Sequence, residues 1–283
     1  MSRTGRIALL VGAVAVSVVA VAGLGGWLAW RSGSVGGTDC PGGPPQRLGV
    51  EVLDRIPHDP TAFTEGLVRV GAGRLWESTG REGESSIRRL DPATGAVLEQ
   101  AALPPDAFGE GLAVGDGGEL VQLTWKNGFA VRWQRSPLQA TGRFTYRGEG
   151  WGLSTLDDGT LVQSDGTDTL TLRDPATFEV TSTQRIARDG GGADRLNELE
   201  WDGTHLWANR WQTDEILRID LDCDRVDAVV DASALTAEVR AATRAGGEVD
   251  VLNGIARGPR DGTYYVTGKL WPTMFVVRFV TSP

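Results

Sequence analysis

Apolar residues along this chain fall into short runs rather than long amphipathic stripes, and the runs return in a fixed order. Phe63-Thr64-Glu65-Gly66-Leu67 is echoed by Phe108-Gly109-Glu110-Gly111-Leu112 and by Gly150-Trp151-Gly152-Leu153. Leu196-Asn197-Glu198-Leu199 and Leu252-Asn253-Gly254-Ile255 complete the series. The aliphatic anchors Leu67, Leu112, Leu153, Leu199 and Ile255 are 45, 41, 46 and 56 residues apart. A period in the forties with strand-like content is the signature of propeller blades. Each anchor is followed by a turn rich in glycine and aspartate, then a second strand such as Leu75-Trp76-Glu77-Ser78 or Leu206-Trp207-Ala208-Asn209. Glycine and aspartate supply the positive φ that tight hairpins need. A third strand follows in every repeat, and four repeats have a fourth, over 96–103, 140–146, 179–187 and 225–231.

The last repeat lacks its outer strand, whereas Leu48-Gly49-Val50-Glu51-Val52-Leu53 is a strand to spare before the first. The pattern therefore predicts an all-β, five-bladed β-propeller of four-stranded blades over residues 47–283, with the N-terminal strand closing the last blade. Closure of that kind leaves no open sheet edge. A two-sheet sandwich is the rival. The alanine- and arginine-rich segment 233–248 explains the long last spacing and is expected to be a helical insertion.

Ile7 to Trp30 carries no charge, and as a helix at 1.5 Å per residue it is about 36 Å long, enough to cross a bilayer. Arg3 and Arg6 precede it, so the N-terminus is expected to stay cytoplasmic and the remainder to lie outside. Residues 1–31 read either as a signal peptide cut near Ala20-Val21-Ala22 or as a retained membrane anchor; residues 32–46 read as a Gly/Ser/Pro linker. The chain has net charge −9, and its first 31 residues hold three arginines and no acid, so the rest carries −12. Such an acidic surface disfavours nucleic acid as a partner, and with no self-association patch a monomer is expected. Cys40 and Cys223 both fall in the exported part, where one disulfide would tie the N-terminal arm to the fourth blade; Cys40 is also a weak match for a lipoprotein site. Neither cysteine sits in a metal-ligand pair, and His58 and His205 are isolated in sequence, so no Cys/His zinc site is expected.

In a propeller the inner strands start at one mouth of the central channel. That placement would gather Glu65, Glu110, Trp151, Asn197 and Asn253, with Trp125, Asp165, Trp211, Lys269 and Trp271 from the ends of the second strands. Aromatic walls with a few orienting polar groups suit a small-molecule site. Trp76, Trp133, Trp201 and Trp207 lie inside strands and read as wedges between blades, and Glu149 and Asp165 as solvated turn residues.

The stretches FTEGL at 63–67, FGEGL at 108–112, LTWKNG at 123–128, GEGWGL at 148–153, LNELEW at 196–201, LWANRWQTDEILRID at 206–220, LNGIA at 252–256 and GKLWPTMFVV at 268–277 resemble the plant- and bacterial-type glutaminyl-peptide cyclotransferases. The likeness covers essentially residues 48–280. It implies a five-bladed propeller that turns the N-terminal glutamine of peptides or proteins into pyroglutamate and releases ammonia, without a cofactor or catalytic zinc. Carried over by position, the resemblance makes Glu110 the catalytic proton shuttle. It makes Phe63, Glu65, Phe108, Trp125, Trp151 and Trp211 the substrate-binding wall, with Lys269 or Asn197 as oxyanion donor. Glutamine is common in the family at the position of Glu65, and a second carboxylate there is expected to share a proton with Glu110. Two other classes compete: a lactonase-like hydrolase holding calcium on Glu65, Asn197, Asn253 and Asp165, and a non-catalytic binding propeller.

Overall fold

The computed structural model describes residues 40, 42–71, 73–243 and 247–281. The proposed signal or anchor segment, 1–31, and most of the 32–46 linker lie outside them. Among the described residues no helix is long and apolar enough to cross a membrane.

Almost all of the regular structure described is β-strand. The first sheet runs Thr64–Val70, Arg74–Thr79, Ser86–Leu90, Val97–Ala102, and the second Gly109–Val114, Leu120–Thr124, Phe129–Arg135, Leu138–Thr145. The third runs Leu153–Thr155, Leu161–Gln163, Thr169–Arg173, Val180–Arg185. Within each, consecutive strands pair antiparallel, as short turn-linked runs must. In these sheets the first two strands are largely buried and the fourth largely exposed.

The remaining strands depart from the expected set of separate four-stranded units. Leu196–Trp201, Leu206–Arg210, Glu215–Asp220 and Arg225–Asp231 form one run, and Leu252–Arg257, Tyr264–Gly268 and Thr273–Thr281 another. The long N-terminal strand Gln46–Pro57 joins both. It pairs antiparallel with Thr273–Thr281, closing the last run as the spare-strand pattern implies. Its first residues, Gln46 to Gly49, also pair parallel with Ala228 to Asp231, and with the two-residue strands Ala187–Arg188 and Gly191–Gly192 at the side these make a single ten-stranded sheet. A disulfide between Cys40 and Cys223, with Cα atoms 5.7 Å apart, and a hydrogen bond from Arg225 to Gly43 O hold the arm beside that outer strand.

The predicted helical insertion is shorter than expected. The helix covers Ser233–Ala242, and Thr243 already has extended backbone; Leu235 and Val239 are its buried contacts. The rest of the expected helical segment contains Gly246 and Gly247, poor helix formers.

The core is divided into five apolar clusters, each wedged between successive strand runs. One joins Trp76 and Ile87 to Leu112 and Trp133, and another joins Trp207 and Ile216 to Ile255 and Phe275. Trp76, Trp133 and Trp207 are thus wedges, and Trp271, which could have faced a pocket, is fully buried in the same role. Full burial of each large apolar side chain contributes about 1.5–3 kcal/mol.

Hydrogen bonds lace the runs in cyclic order. Ser78 Oγ donates to Glu110 O, Gly111 N to Trp151 O (2.7 Å) and Ser164 Oγ to Asn197 O (2.6 Å). Gly254 N donates to Asn209 Oδ1 (3.0 Å), and Asn253 Nδ2 to Thr64 O (3.0 Å), which returns to the first sheet. This crowding explains two of the repeated glycines. A Cβ on Gly111 would lie 2.5 Å from Leu153 N, and one on Gly152 would lie 2.0 Å from Asn197 O.

Candidate active site

Four first strands carry a register break at the motif itself. Thr64 and Gly66 pair with adjacent partners, leaving Glu65 unopposed. Breaks likewise fall between Gly109 and Leu112, Leu196 and Leu199, and Leu252 and Ile255. A bulge rotates the extra residue out of the alternating pattern and re-aims its side chain. Glu65, Glu110, Asn197 and Asn253 all sit in such bulges. In the third sheet pairing starts only at Leu153, leaving Trp151 outside the ladder.

The consequence is a cavity of about 410 Å³. Phe63, Phe108, Trp125, Trp151 and Trp211 line it as aromatic walls, and Glu65, Glu110, Asn197 and Lys269 supply polar groups. The nine residues that the resemblance assigns to the site therefore all line it, whereas Asn253, Asp165 and Trp271, also expected at the mouth, do not. The rings brace one another edge to face: Phe63 on Phe108 at 6.0 Å, Phe108 on Trp125 at 5.8 Å, and Trp151 on Trp211 at 5.3 Å between centroids.

At the base of the cavity the polar groups touch. Lys269 Nζ donates to Glu65 Oε1 at 2.7 Å and lies 4.7 Å from the Phe63 ring centre. Asn253 Nδ2 donates to Glu65 Oε2 at 3.2 Å. The Glu110 carboxyl lies near enough to Glu65 for the two to influence each other's ionisation. Both acids are buried, Glu65 1% exposed and Glu110 6%. Burial raises the Glu65 pKa, and although the neighbouring Lys269 ammonium pulls it back, it settles at about 7. Glu110 is pushed well above the ordinary carboxylate range, first by burial and then by the Glu65 charge. Both acids are thus held above the ordinary carboxylate range, and the pair keeps a proton to higher pH than free carboxyls would.

Two placements bear on the roles expected from the sequence. Lys269 is a buried partner of Glu65, with one of its donors already engaged. Asn197 has its Oδ1 buried and without a partner among the described residues, which leaves its Nδ2 as the atom able to face the cavity and donate. Asp165 accepts from Thr167 in a local turn, the default reading of its sequence. Glu65 is already bound by Lys269 and Asn253, so a cation on Glu65, Asn197, Asn253 and Asp165 would have to displace both. Among the described residues no three His, Cys, Asp or Glu side chains converge as a ligand set.

Sequence reasoning missed several contributors. Glu149, read as a solvated carboxylate, accepts from the indole N–H of Trp125 (2.8 Å) and of Trp151 (3.0 Å), clamping two walls at once. Burial opposes its charge slightly, but these bonds and Lys126 hold its pKa down. Gln212, Asp250 and Val251 complete the lining. Asp250 comes from the segment after the helix, and its charge helps to raise the Glu65 pKa. The only signal for Glu149 was its place inside the GEGWGL stretch.

The family model described as glutamine cyclotransferase matches residues 27–279. The chain belongs to the glutamine cyclotransferase family. The glutaminyl-peptide cyclotransferase of Arabidopsis thaliana is 37% identical over 230 residues, 81% of this chain and 71% of the plant protein. The solved glutaminyl cyclase of Myxococcus xanthus, also 37% identical, superposes with a TM-score of 0.76 over 84% of this chain and all of that one. Membership makes the chain an enzyme of the glutaminyl cyclase class.

Proposed function

We propose that the cavity binds the N-terminal glutamine of a peptide or protein and cyclises it to pyroglutamate, with the Glu65–Glu110 pair moving the proton. The observation that carries this reading is a buried carboxyl pair, Glu65 and Glu110, beside Lys269 at an aromatic-walled cavity. The substrate supplies both reacting groups, since its own α-amine attacks its γ-carboxamide and proximity is built in. As the new N–C bond forms, the ionised member of the pair takes a proton from the amine, and Glu110 gives its proton to the departing nitrogen. The old C–N bond breaks, ammonia leaves, and the pair again holds one proton. The free N–H donors of Lys269 face the developing oxyanion. The Asn197 Nδ2–H supplies a second donor to that oxygen, the role the resemblance implies. The tryptophans grip the aliphatic stem and exclude water.

Further readings go with this one. The cyclic lacing and the five wedge-like clusters support a five-bladed propeller in which Gln46–Pro57 closes the last blade. The Cys40–Cys223 disulfide and the uncharged segment 7–30 support an extracytoplasmic enzyme, secreted or membrane-anchored.

The test is ammonia release from a short peptide with N-terminal glutamine, using the full chain and Glu110→Gln. Loss of a proton-transfer group is expected to lower kcat by about 10²–10⁴-fold. Equal turnover by the variant would reject the assigned role, and no turnover by folded wild type would reject the substrate.

A further inference from the structure

Behind the wall that carries Glu65 and Lys269 lies a second buried charge cluster that the reaction above does not use. His58, 6% exposed, follows the long N-terminal strand. Its Nδ1 is 2.7 Å from the carbonyl oxygen of Trp271, and its Nε2 is 2.9 Å from Glu77 Oε1. A carbonyl can only accept, so Nδ1 carries a proton. Glu77 is fully buried and also accepts, taking Thr64 Oγ1 at 2.7 Å on Oε1 and Arg88 Nε at 3.0 Å on Oε2. Nε2 therefore carries a proton as well, and the ring is an imidazolium.

The charged groups around it come from every neighbouring element. Glu77 stands on Arg74–Thr79 and Arg88 on Ser86–Leu90, with Arg88 also bound to Asp59 at 2.7 Å. Glu65 follows Thr64, which Glu77 holds, and Lys269 lies in the turn that His58 holds. That turn has two more ties to the same segment: His58 N donates to Pro272 O (2.9 Å), and Leu270 N to Ala62 O (2.7 Å).

We infer that His58 is a positioning residue: as a buried cation it bridges the Lys269 turn to the Glu77–Thr64 side of the cavity, and so fixes the Lys269–Glu65 contact on which the carboxyl pair depends. The inference rests on the cyclase reading for its consequence in turnover, but the ionisation state of the ring does not. Burial alone would lower the His58 pKa, but the Glu77 carboxylate outweighs it and holds the ring above its ordinary 6.5. Burial likewise opposes charge on Glu77, yet His58 and Arg88 hold that acid down at about 2. His58, Arg88, Glu77 and Asp59 together are neutral, so removing the imidazolium leaves one net negative charge near Glu65. That raises the pKa of the pair and moves the acid limb of the rate profile to higher pH.

The experiment compares wild type with His58→Gln in the pH profile of ammonia release, alongside carboxyl NMR titration of the glutamates. A fall in kcat of about tenfold with KM nearly unchanged, and an acid limb raised by about half a unit, are expected. A folded variant with the wild-type profile and Glu65 titration would overturn the proposal. Wild-type protein that releases no ammonia would reject the cyclase reading, while the Glu65 titration would still decide the effect of His58. If His58→Gln does not fold, nitrogen NMR of wild type decides, because the chain has only two histidines. A ring doubly protonated at pH 7.5 supports the inference, and a neutral ring there overturns it.

Discussion

Glu65→Gln is the sharpest perturbation of the site, because it keeps the shape of the side chain and removes only its charge. In wild type the rise from the ordinary 4.5 to about 7 corresponds to about 3 kcal/mol against the ionised form. The sign follows from proton binding. Between pH 4.5 and 7 the folded protein keeps a proton on Glu65 that the unfolded chain has lost, so stability falls across that window as pH rises. The substituted carboxamide cannot titrate, and without the Glu65 charge the Glu110 carboxyl ionises more readily beside Lys269. Two results are expected. Denaturant melts at pH 5 and pH 8 should show wild type losing about 3 kcal/mol more than the variant over that range. Ammonia release should persist in the variant, with its acid limb moved to lower pH. An unchanged limb together with an unchanged pH dependence of stability would refute a shared proton and leave Glu110 acting alone.

Two further tests address the scaffold. Gly152→Ala would drive a methyl group into the Asn197 carbonyl, and overpacking at backbone contacts is expected to cost about 1–3 kcal/mol, read as a lower denaturant midpoint. Cys223→Ser removes a cross-link spanning 183 residues and is expected to lower stability by about 2–4 kcal/mol under oxidising conditions and not at all under reducing ones, again by denaturant melt.

The repeat was legible because the geometry that makes it also constrains its residues. First strands that approach this closely need Gly111 and Gly152, and bulges that aim side chains inward recur at one motif position. The aromatic wall was legible for the same reason, since Trp125, Trp151 and Trp211 fall just where strands stop. What escaped was chemistry assembled from distant segments. His58 looked isolated because its partners Glu77 and Trp271 lie 19 and 213 residues away. Lys269 falls at the channel mouth in the sequence pattern, but its partner Glu65 lies 204 residues away. Glu149 passed for a solvated acid because one of its two indole donors belongs to another strand run. Composition overstates the helix after residue 233, since its alanine and arginine content outweighs the glycines that follow.

The pairing of Gln46–Pro57 with Thr273–Thr281 has a kinetic meaning. Leu48 meets Thr281, so this strand waits for a partner more than two hundred residues further along before its antiparallel pairing can form. Its other neighbour, Arg225–Asp231, is itself late in the chain. Sheets of local hairpins can form as the polypeptide emerges, but this closure sets one long-range contact as the final, slow step of folding. Until it occurs, both ends of the nascent domain are unpaired β-edges, and the time between emergence of residue 57 and residue 273 is the interval during which self-association competes with closure.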